Sequence, residues 1–266
     1  MIAASAWAIL APVSIIAVFN QKGGVGKTTT ALNLLAAIAQ RKQRPLGIDL
    51  DPQGHLTHVF GVQPKSADDT IYSFFMRQRP LEEIAEITKS GVILCPSHLE
   101  LNKLDTLLGK GVNVVTRLRQ ALHAPGALTG PAVIDCCPLL NVLSLNAVFA
   151  ADLMLIPVSA DFLSLQGAAQ VERALNALEP VFKRRLPRRY LLTRYDMRRR
   201  MSGAVEERMA ETLRRDEICV TRIRENVKLA ESPSVGVDIF RHAPDSRGAR
   251  DYAALHEELV GAGFLQ

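Results

Sequence analysis

Two patterns of apolar and polar residues alternate along the chain. Short continuous apolar runs, typical of parallel strands buried on both faces, occur at Ser14–Phe19, Leu46–Leu50, Val92–Cys95, Ala132–Ile134, Leu153–Val158 and Tyr190–Leu192. Apolar residues at helical spacing lie between or after them, at Thr28–Gln40, Leu99–Leu108, Val115–Leu122, Ser164–Phe182, Val205–Arg215 and Gly248–Val260. Because parallel strands require crossover connections, this alternation predicts an α/β fold with a mostly parallel, twisted sheet and helices on both faces.

The same pattern predicts a single domain over residues 13–266. The Arg/Pro-rich stretch 183–189 is too short to separate two domains. Residues 1–12 are interpreted as an extension that is partly disordered, since they lack the basic start of a signal peptide and run directly into the first strand. Because that strand starts near residue 14, we expect no N-terminal helix-turn-helix domain and no sequence-specific operator binding.

A glycine-rich loop follows the first predicted strand. Residues 20–30 read N-Q-K-G-G-V-G-K-T-T-T and open the first helix. Glycines let backbone N–H groups wrap round phosphates, and the helix N-terminus adds partial positive charge. In such a loop Lys27 binds the β- and γ-phosphates and the Thr28 hydroxyl is a ligand of Mg²⁺. The sequence therefore predicts a nucleoside triphosphate and Mg²⁺ as cofactors, held by Gly23, Gly24, Val25, Gly26, Lys27, Thr28 and Thr29.

This loop departs from the general G-x-x-x-x-G-K-[ST] form. Gln21 occupies the first glycine position, and Lys22 is an additional lysine. Lys22 does not easily reach phosphates that Lys27 already binds, but it can reach across a dimer interface to a partner's nucleotide, as an arginine finger does. On the residues alone, a solvated loop lysine remains the alternative.

Carboxylates follow two further predicted strands. Asp49 and Asp51 point the same way at the end of the second run, so one can hold the metal shell and the other can position the attacking water. Asp135 ends an apolar strand in the Walker B form, from which it would bind Mg²⁺ through water. An Asp-Pro turn that only caps a strand is the alternative for Asp51.

Several of these runs together resemble one known family. The run K-G-G-V-G-K-T-T resembles the deviant Walker A of the ParA/MinD family of partition and positioning ATPases, and D-L-D-P-Q-G at 49–54 resembles its switch I. Residues 192–196, 223–233 and 243–249 resemble further family segments, so the resemblance covers about residues 13–260. Cys137 replaces a proline of the family's switch II turn, which puts fine control of that switch, but not metal binding, in doubt. Ser232 and His242 replace an alanine and a tyrosine of the family pattern.

The resemblance implies a Mg²⁺-dependent ATPase closest to the small, Soj-like ParA proteins. It implies that Lys22 crosses a nucleotide-sandwich homodimer formed on ATP binding, and that Asp51 orients the water with Asp49 in support. It also places Arg194 and Pro233 against the adenine. The expected catalytic residues are then Lys22, Lys27 and Asp51, and the expected metal residues are Thr28, Asp49 and Asp135.

Positive charge is concentrated in the C-terminal half. Residues 180–250 contain 18 Lys and Arg against 10 Asp and Glu, whereas the whole chain has 32 against 27. This asymmetry predicts a basic face for an anionic partner, with a solvated, salt-bridged surface as the alternative. The arginines concerned are Arg184, Arg185, Arg188, Arg189, Arg198, Arg199, Arg200, Arg214, Arg215, Arg222 and Arg224.

The resemblance and the basic segment together predict a cytoplasmic, nucleoid-associated partition ATPase. It would bind DNA non-specifically as an ATP dimer and release it when a cargo-bound, ParB-like activator triggers hydrolysis. The cargo would be plasmid or chromosome origins, with chemoreceptors, carboxysomes or cellulose synthase as alternatives. A non-enzymatic, nucleotide-gated scaffold is disfavoured because the residues that hydrolysis requires are all in the sequence.

Two other ATPase classes share the loop. A membrane-cycling, MinD-like ATPase would need a basic amphipathic C-terminal helix, but residues 259–266 contain no basic residue, so no stable membrane association is expected. An electron-transfer ATPase would need two cysteines per subunit at a dimer axis, and Cys95 and Cys136 lack the surrounding glycines.

Overall fold

The computed structural model describes residues 14–109, 111–183 and 185–266, so the expectation for residues 1–12 lies outside the described residues. These residues form one α/β domain. The strands are β1 Ile15–Val18, β2 Leu46–Asp49, β3 Glu86–Ile87, β4 Ile93–Cys95, β5 Ala132–Asp135, β6 Leu153–Ser159, β7 Arg188–Tyr195 and β8 Ile218–Arg224.

Helices connect the strands. The α-helices are α1 Lys27–Gln40, α2 His55–Val59, α3 Ile71–Arg77, α4 Leu81–Ile84, α5 Leu104–Leu108, α6 Val112–Val115, α7 Arg117–Leu122, α8 Val142–Ala150, α9 Phe162–Phe182, α10 Arg200–Thr212, α11 Val227–Glu231, α12 Ile239–His242 and α13 Arg247–Gly261. Short 3-10 helices lie at Ala67–Asp69, Leu99–Lys103, Arg215–Glu217 and Ser232–Val235.

The sheet has the order β3-β4-β2-β5-β1-β6-β7-β8. Every neighbouring pair is parallel except β3 and β4, which confirms the predicted mostly parallel sheet. Two strands were not predicted, and both lie at edges of the sheet. In β8 only alternate residues face the core, Val220 is 81% exposed, and Arg222 and Arg224 interrupt the apolar pattern that begins at Ile218.

Apolar side chains are buried on both faces of the sheet, as predicted. In β1, Ile15 and Ala17 join the core beneath α3 and α7–α10, whereas Ile16 and Val18 join the core beneath α1 and α13. This alternation is the period of a strand covered by helices on both sides.

Two helical predictions differ in detail from the structure, and one helix was not predicted. The segment predicted over Leu99–Leu108 starts as a 3-10 helix and continues as α5, and the one over Val115–Leu122 falls in α6 and α7. Helix α8 was missed because it is buried on nearly every side, which removes the polar stripe that marks an amphipathic helix. Its start is fixed instead by a capping box at Asn141.

Strand register brings the functional loops to one edge of the sheet. Asp135 at the end of β5 pairs with Val18 of β1 on one side and with Asp49 of β2 on the other. In parallel sheets ligands bind beyond the carboxyl ends of the strands, so the site is built from the loops that follow these three strands.

Candidate nucleotide-binding and hydrolysis site

The loop between β1 and α1 has the backbone shape of a phosphate cradle. Gly24 and Gly26 have φ of +76° and +91°, where a side chain would be strained. Gly26 is also the N-cap of α1, and no described side chain caps that helix. The first N–H groups of a 14-residue helix are therefore available to an anion.

Lys27 is positioned at the floor of this cradle. It is only 7% exposed, and its Nζ donates to the carbonyl oxygen of Lys22 at 3.0 Å. Burial lowers the pKa of Lys27, while the charges of Asp135 and Asp51 oppose that change. A bound phosphate would offset the cost of this buried cation.

Asp135 has the features of a cation ligand. It is fully buried, and neither carboxylate oxygen accepts a hydrogen bond that meets standard geometry from the described residues. Burial first, and then the charge of Asp49, raise the pKa of Asp135 well above its usual range, with the Thr28 hydroxyl opposing the rise. A buried carboxylate without donors is costly unless a cation compensates it. Thr28 and Asp135 therefore fit Mg²⁺, which takes oxygen ligands and needs few from protein.

The structure shows Asp49 mainly as an anchor for the loop that follows β2. Its carboxylate accepts hydrogen bonds from the Thr57 N–H at 2.9 Å, the Thr57 hydroxyl at 2.7 Å and the Asp51 N–H at 3.1 Å. Burial raises the pKa of Asp49, and the Thr57 hydrogen bonds oppose this. These contacts fix the backbone at Asp51, and the assignments of Asp49 to the metal shell and to the support of Asp51 in hydrolysis stay predictions.

Asp51 lies at the wall of the cavity that contains the cradle. This cavity has a volume of about 570 Å³ and is lined by Lys27, Thr28 and Asp51 among others. Asp51 is half-buried, and its Oδ1 accepts the Gln53 N–H at 3.0 Å. It is therefore placed to accept a hydrogen bond from water beside the phosphates. Asn102 lines the same cavity, and neither its spacing nor its sequence neighbourhood suggested it.

Lys22 adopts an arrangement that differs from both readings of the sequence. Its Nζ donates to Asp161 Oδ1 at 2.6 Å and to Ser164 Oγ at 2.8 Å, at the start of α9. Burial alone would raise the pKa of Asp161, but hydrogen bonds from Lys22 and Ser164 lower it below its usual range. Lys22 is thus held within its own chain here, and its reach to a partner's nucleotide stays a prediction.

A second cavity of about 270 Å³ adjoins the cradle and shares Gly24, Gly26 and Thr29 with it. Its other walls come from the ends of β7 and β8 and from nearby helices, through Thr193, Arg194, Ile223, Asn226, Leu229 and Tyr252. The Thr193 hydroxyl donates to the Val25 carbonyl at 2.8 Å and so ties β7 to the loop. The mixture of apolar walls and polar edges fits a nucleobase.

Of the two residues expected beside the adenine, only one lines this cavity. Arg194 does, with a φ of +52° that is unusual for a residue other than glycine. Pro233 lies in the 3-10 helix Ser232–Val235 and is not among the lining residues. Asn226, directly after the unpredicted strand β8, and Tyr252, in α13, line the cavity as well. Both base-contact assignments stay predictions.

The cradle, its buried lysine and the carboxylates at the ends of neighbouring strands define a P-loop nucleoside triphosphatase. Residues 13–187 match the family model described as an AAA domain. The chain is 35% identical over 250 residues to "Chromosome partitioning protein ParA" of Myxococcus xanthus, covering 92% of this chain and 87% of that protein. It is 33% identical over 251 residues to "Sporulation initiation inhibitor protein Soj" of Bacillus subtilis, covering 94% and 99%. The chain therefore belongs to the ParA/MinD family of P-loop ATPases.

A solved structure agrees with this assignment. The structure titled cobyrinic acid a,c-diamide synthase from Mycobacterium smegmatis, with bound ADP and magnesium, has a TM-score of 0.80 and 26% identity, and 94% of each chain is covered. Family and site together show an ATPase that uses ATP and Mg²⁺ and acts in partition or positioning.

Proposed function

We propose that this ATPase dimerises on ATP, binds duplex DNA without reading its sequence and leaves the DNA after hydrolysis, and that its cargo is a plasmid or chromosome origin. The observation that carries the DNA-binding part is a group of exposed arginines at the start of α10. The side chains of Arg198 and Arg199 are 90% and 65% exposed, and Arg200 is exposed beside them. Exposed arginines bind phosphates without base contacts.

Two arginines of the basic face expected from the sequence are paired with glutamates within the chain. Arg188 is fully buried, and it pairs with Glu172 at 2.8 Å and with Glu179. Arg185 contacts Glu172 and, at 2.7 Å, Glu217. Since their charges are compensated inside this network, they are unsuited to DNA contacts. Arg184 lies outside the described residues.

We infer the roles of the site residues from their positions in the cavity and from the chemistry of phosphoryl transfer. Lys27 and the first N–H groups of α1 hold the β- and γ-phosphates, and Thr28 and Asp135 hold Mg²⁺. Mg²⁺, when bound, neutralises charge that develops on the phosphates. Asp51 orients a water whose oxygen attacks the γ-phosphorus, so that the bond to the β–γ bridging oxygen breaks and ADP leaves.

Apolar side chains near the nucleotide cavity support a homodimer that closes over it. Leu139, which lines that cavity, is 63% exposed. Phe162 and Leu163, next to Asp161 at the start of α9, are 58% and 64% exposed. Large apolar side chains exposed beside a site are typical of surfaces that a partner covers. Lys22 would then leave Asp161 for the partner's nucleotide, and a ParB-like activator bound to the cargo would accelerate hydrolysis.

The first experiment measures binding of purified protein to labelled non-specific duplex DNA by fluorescence anisotropy, with ATP, ADP or no nucleotide, across a salt series. We expect tight binding with ATP only, falling steeply with salt, since each phosphate contact contributes a slope of roughly −0.9 in log K against log salt. Lys27→Ala is the matched control, because it keeps the arginines and removes the nucleotide contact.

Two outcomes would contradict the proposal. If the wild-type protein fails to bind duplex DNA in every nucleotide state, the arginines form only a solvated surface. If Lys27→Ala binds as the wild-type protein does with ATP, the nucleotide does not control DNA binding. Among the described residues, we find no helix with the length and hydrophobicity to cross a bilayer.

A further inference from the structure

Asp196, in the loop between β7 and α10, binds two of the exposed arginines. Arg198 donates from Nε to Asp196 Oδ1 at 3.0 Å and from Nη2 to Oδ2 at 2.9 Å. The Arg198 backbone N–H also donates to Oδ1 at 3.0 Å, and the Arg199 Nε lies 3.7 Å from Oδ2. One carboxylate therefore receives a two-pronged guanidinium contact and lies near a second guanidinium.

This geometry is the one that a DNA phosphate would offer. A guanidinium binds carboxylates and phosphates through the same pair of parallel hydrogen bonds. The Asp196 side chain is only 13% exposed, whereas Arg198 is 90% exposed. The acceptor is thus fixed in the loop, while the arginine on it can turn outward. A phosphate that binds Arg198 must displace Asp196.

The loop is a direct continuation of the nucleotide site. Three residues before Asp196, the Thr193 hydroxyl donates to the phosphate loop at Val25. Arg194 then lines the base cavity with its left-handed backbone. The Tyr195 carbonyl accepts the Glu225 N–H at 2.9 Å, which ties the loop to a second residue of that cavity. A nucleotide that reshapes the Arg194 backbone therefore changes the position of Asp196.

We propose that Asp196 is an internal substitute for a DNA phosphate: it holds Arg198 and Arg199 in the nucleotide-free chain, and it releases them when nucleotide occupies the base cavity. This inference rests on the proposed DNA binding and adds its regulation. It makes the loop from Asp196 to Arg200 the element that converts nucleotide occupancy into affinity for phosphates.

The test is Asp196→Asn, measured by the same anisotropy titration at one fixed salt concentration. The change keeps the shape of the side chain and removes its charge. Exposed ion pairs of this kind contribute modestly, so we expect nucleotide-free DNA binding to tighten about 3- to 10-fold. With ATP, the DNA affinity of Asp196→Asn should exceed that of the wild-type protein by less than about 2-fold, because the arginines are then already released.

Asp216→Asn is the matched control. Arg214 contacts Asp216 with the same two-pronged geometry, at 3.2 and 3.0 Å, but this pair precedes β8, at the end of the sheet opposite the nucleotide. It changes net charge by the same amount and frees Arg214, which is far from the nucleotide, so it should alter nucleotide-free DNA binding by less than about 2-fold. Circular dichroism and ATP binding verify that both variants fold.

The outcomes separate this inference from the proposed function. If Asp196→Asn and Asp216→Asn tighten nucleotide-free DNA binding equally, the inference is overturned, since the loss of one negative charge anywhere on the surface would then explain the effect. An equal gain with and without ATP would overturn the nucleotide coupling. Arg198→Ala should lower the salt slope by roughly 0.9, one phosphate contact, and an unchanged slope would also overturn it. If the wild-type protein binds no DNA with ATP, the proposed function itself fails.

Discussion

Arg188→Met separates a structural arginine from the arginines proposed to bind DNA. Arg188 is completely buried and donates to Glu172, Glu179, Asn176 and the Leu186 carbonyl. Removing one partner of a buried ion pair costs about 3–5 kcal/mol, because a charge is left uncompensated. Arg188→Met should therefore unfold more easily while the exposed arginines stay in place.

The expected cost lies at the lower end of that range. Glu172 keeps Arg185 at 3.0 Å and the Tyr190 hydroxyl, so part of its compensation survives. A loss of about 3 kcal/mol in a chain of this size lowers the melting temperature by roughly 6–12 °C. Circular dichroism melts and urea unfolding measure this loss. Arg200→Met, an exposed substitution of the same kind, should stay within about 0.5 kcal/mol of the wild-type protein.

The pH dependence of the difference in stability between the wild-type protein and Arg188→Met gives a second check. Burial alone would raise the pKa of Glu172, but hydrogen bonds from Tyr190, Arg188 and Arg185 lower it to about 2. A lowered carboxyl pKa stabilises the fold above the unfolded value of about 4.3, and this contribution is lost as the pH falls towards 2. The gap between wild-type protein and Arg188→Met should therefore narrow below about pH 4.3. An Arg188→Met variant that melts like the wild-type protein but loses DNA binding would refute the reasoning.

Three further predictions use other residues. Lys22→Ala should keep ATP binding and lose hydrolysis in a phosphate-release assay; equal hydrolysis would make it an ordinary loop lysine. Asp51→Ala should accumulate an ATP-bound dimer, whereas a monomer alone on gel filtration with ATP would count against its role. His256 is 3% exposed, and neither ring nitrogen makes a hydrogen bond of standard geometry among the described residues, although Nδ1 lies 3.7 Å from Glu257 Oε1. Burial lowers the pKa of His256, and Glu257 opposes this. The free energy of unfolding of His256→Leu at pH 7 should therefore exceed that of the wild-type protein by about 1 kcal/mol. This difference should widen below pH ~6.5, because histidine binds protons in the unfolded chain at a higher pH than in the folded one. A lower free energy of unfolding at pH 7 would contradict this.

The fold was predictable from the sequence where burial produces a simple pattern. β1, β2, β5 and β6 are covered on both faces, so each appears as a continuous apolar run. The edge strand β8 has one exposed face and two arginines, and its mixed pattern does not stand out as a strand. Its hydrogen bonds to β7 depend on residues distant in sequence, and no local signal reports them.

In the candidate site, too, the features with a local sequence signal were predicted and the contacts between distant residues were not. The glycines, Lys27, Thr28 and Asp135 were predictable because phosphate and Mg²⁺ binding require particular residues at fixed spacing, directly after a strand. The contacts of Lys22 were not, since Asp161 is 139 residues away and only the packing of α9 brings it close. The sequence placed Arg188 on an exposed basic face because its neighbours in sequence are basic. Its ion-pair partners lie on α9, and only the folded chain shows that its charge is compensated.

Asp135 and Arg188 show why burial has to be interpreted together with partners. Both are fully buried charged residues, and burial alone would rank them as equally costly. Arg188 has its carboxylates within the chain, so its charge is part of the architecture and its removal should destabilise the fold. Asp135 has no ion-pair partner in contact, and the Thr28 hydroxyl and the Lys27 charge only partly oppose the rise in its pKa, so we propose that its compensation arrives with the ligand. The uncompensated carboxylate of Asp135 at the edge of the parallel sheet is therefore where we propose that nucleotide and metal bind, whereas the compensated Arg188 is part of the architecture.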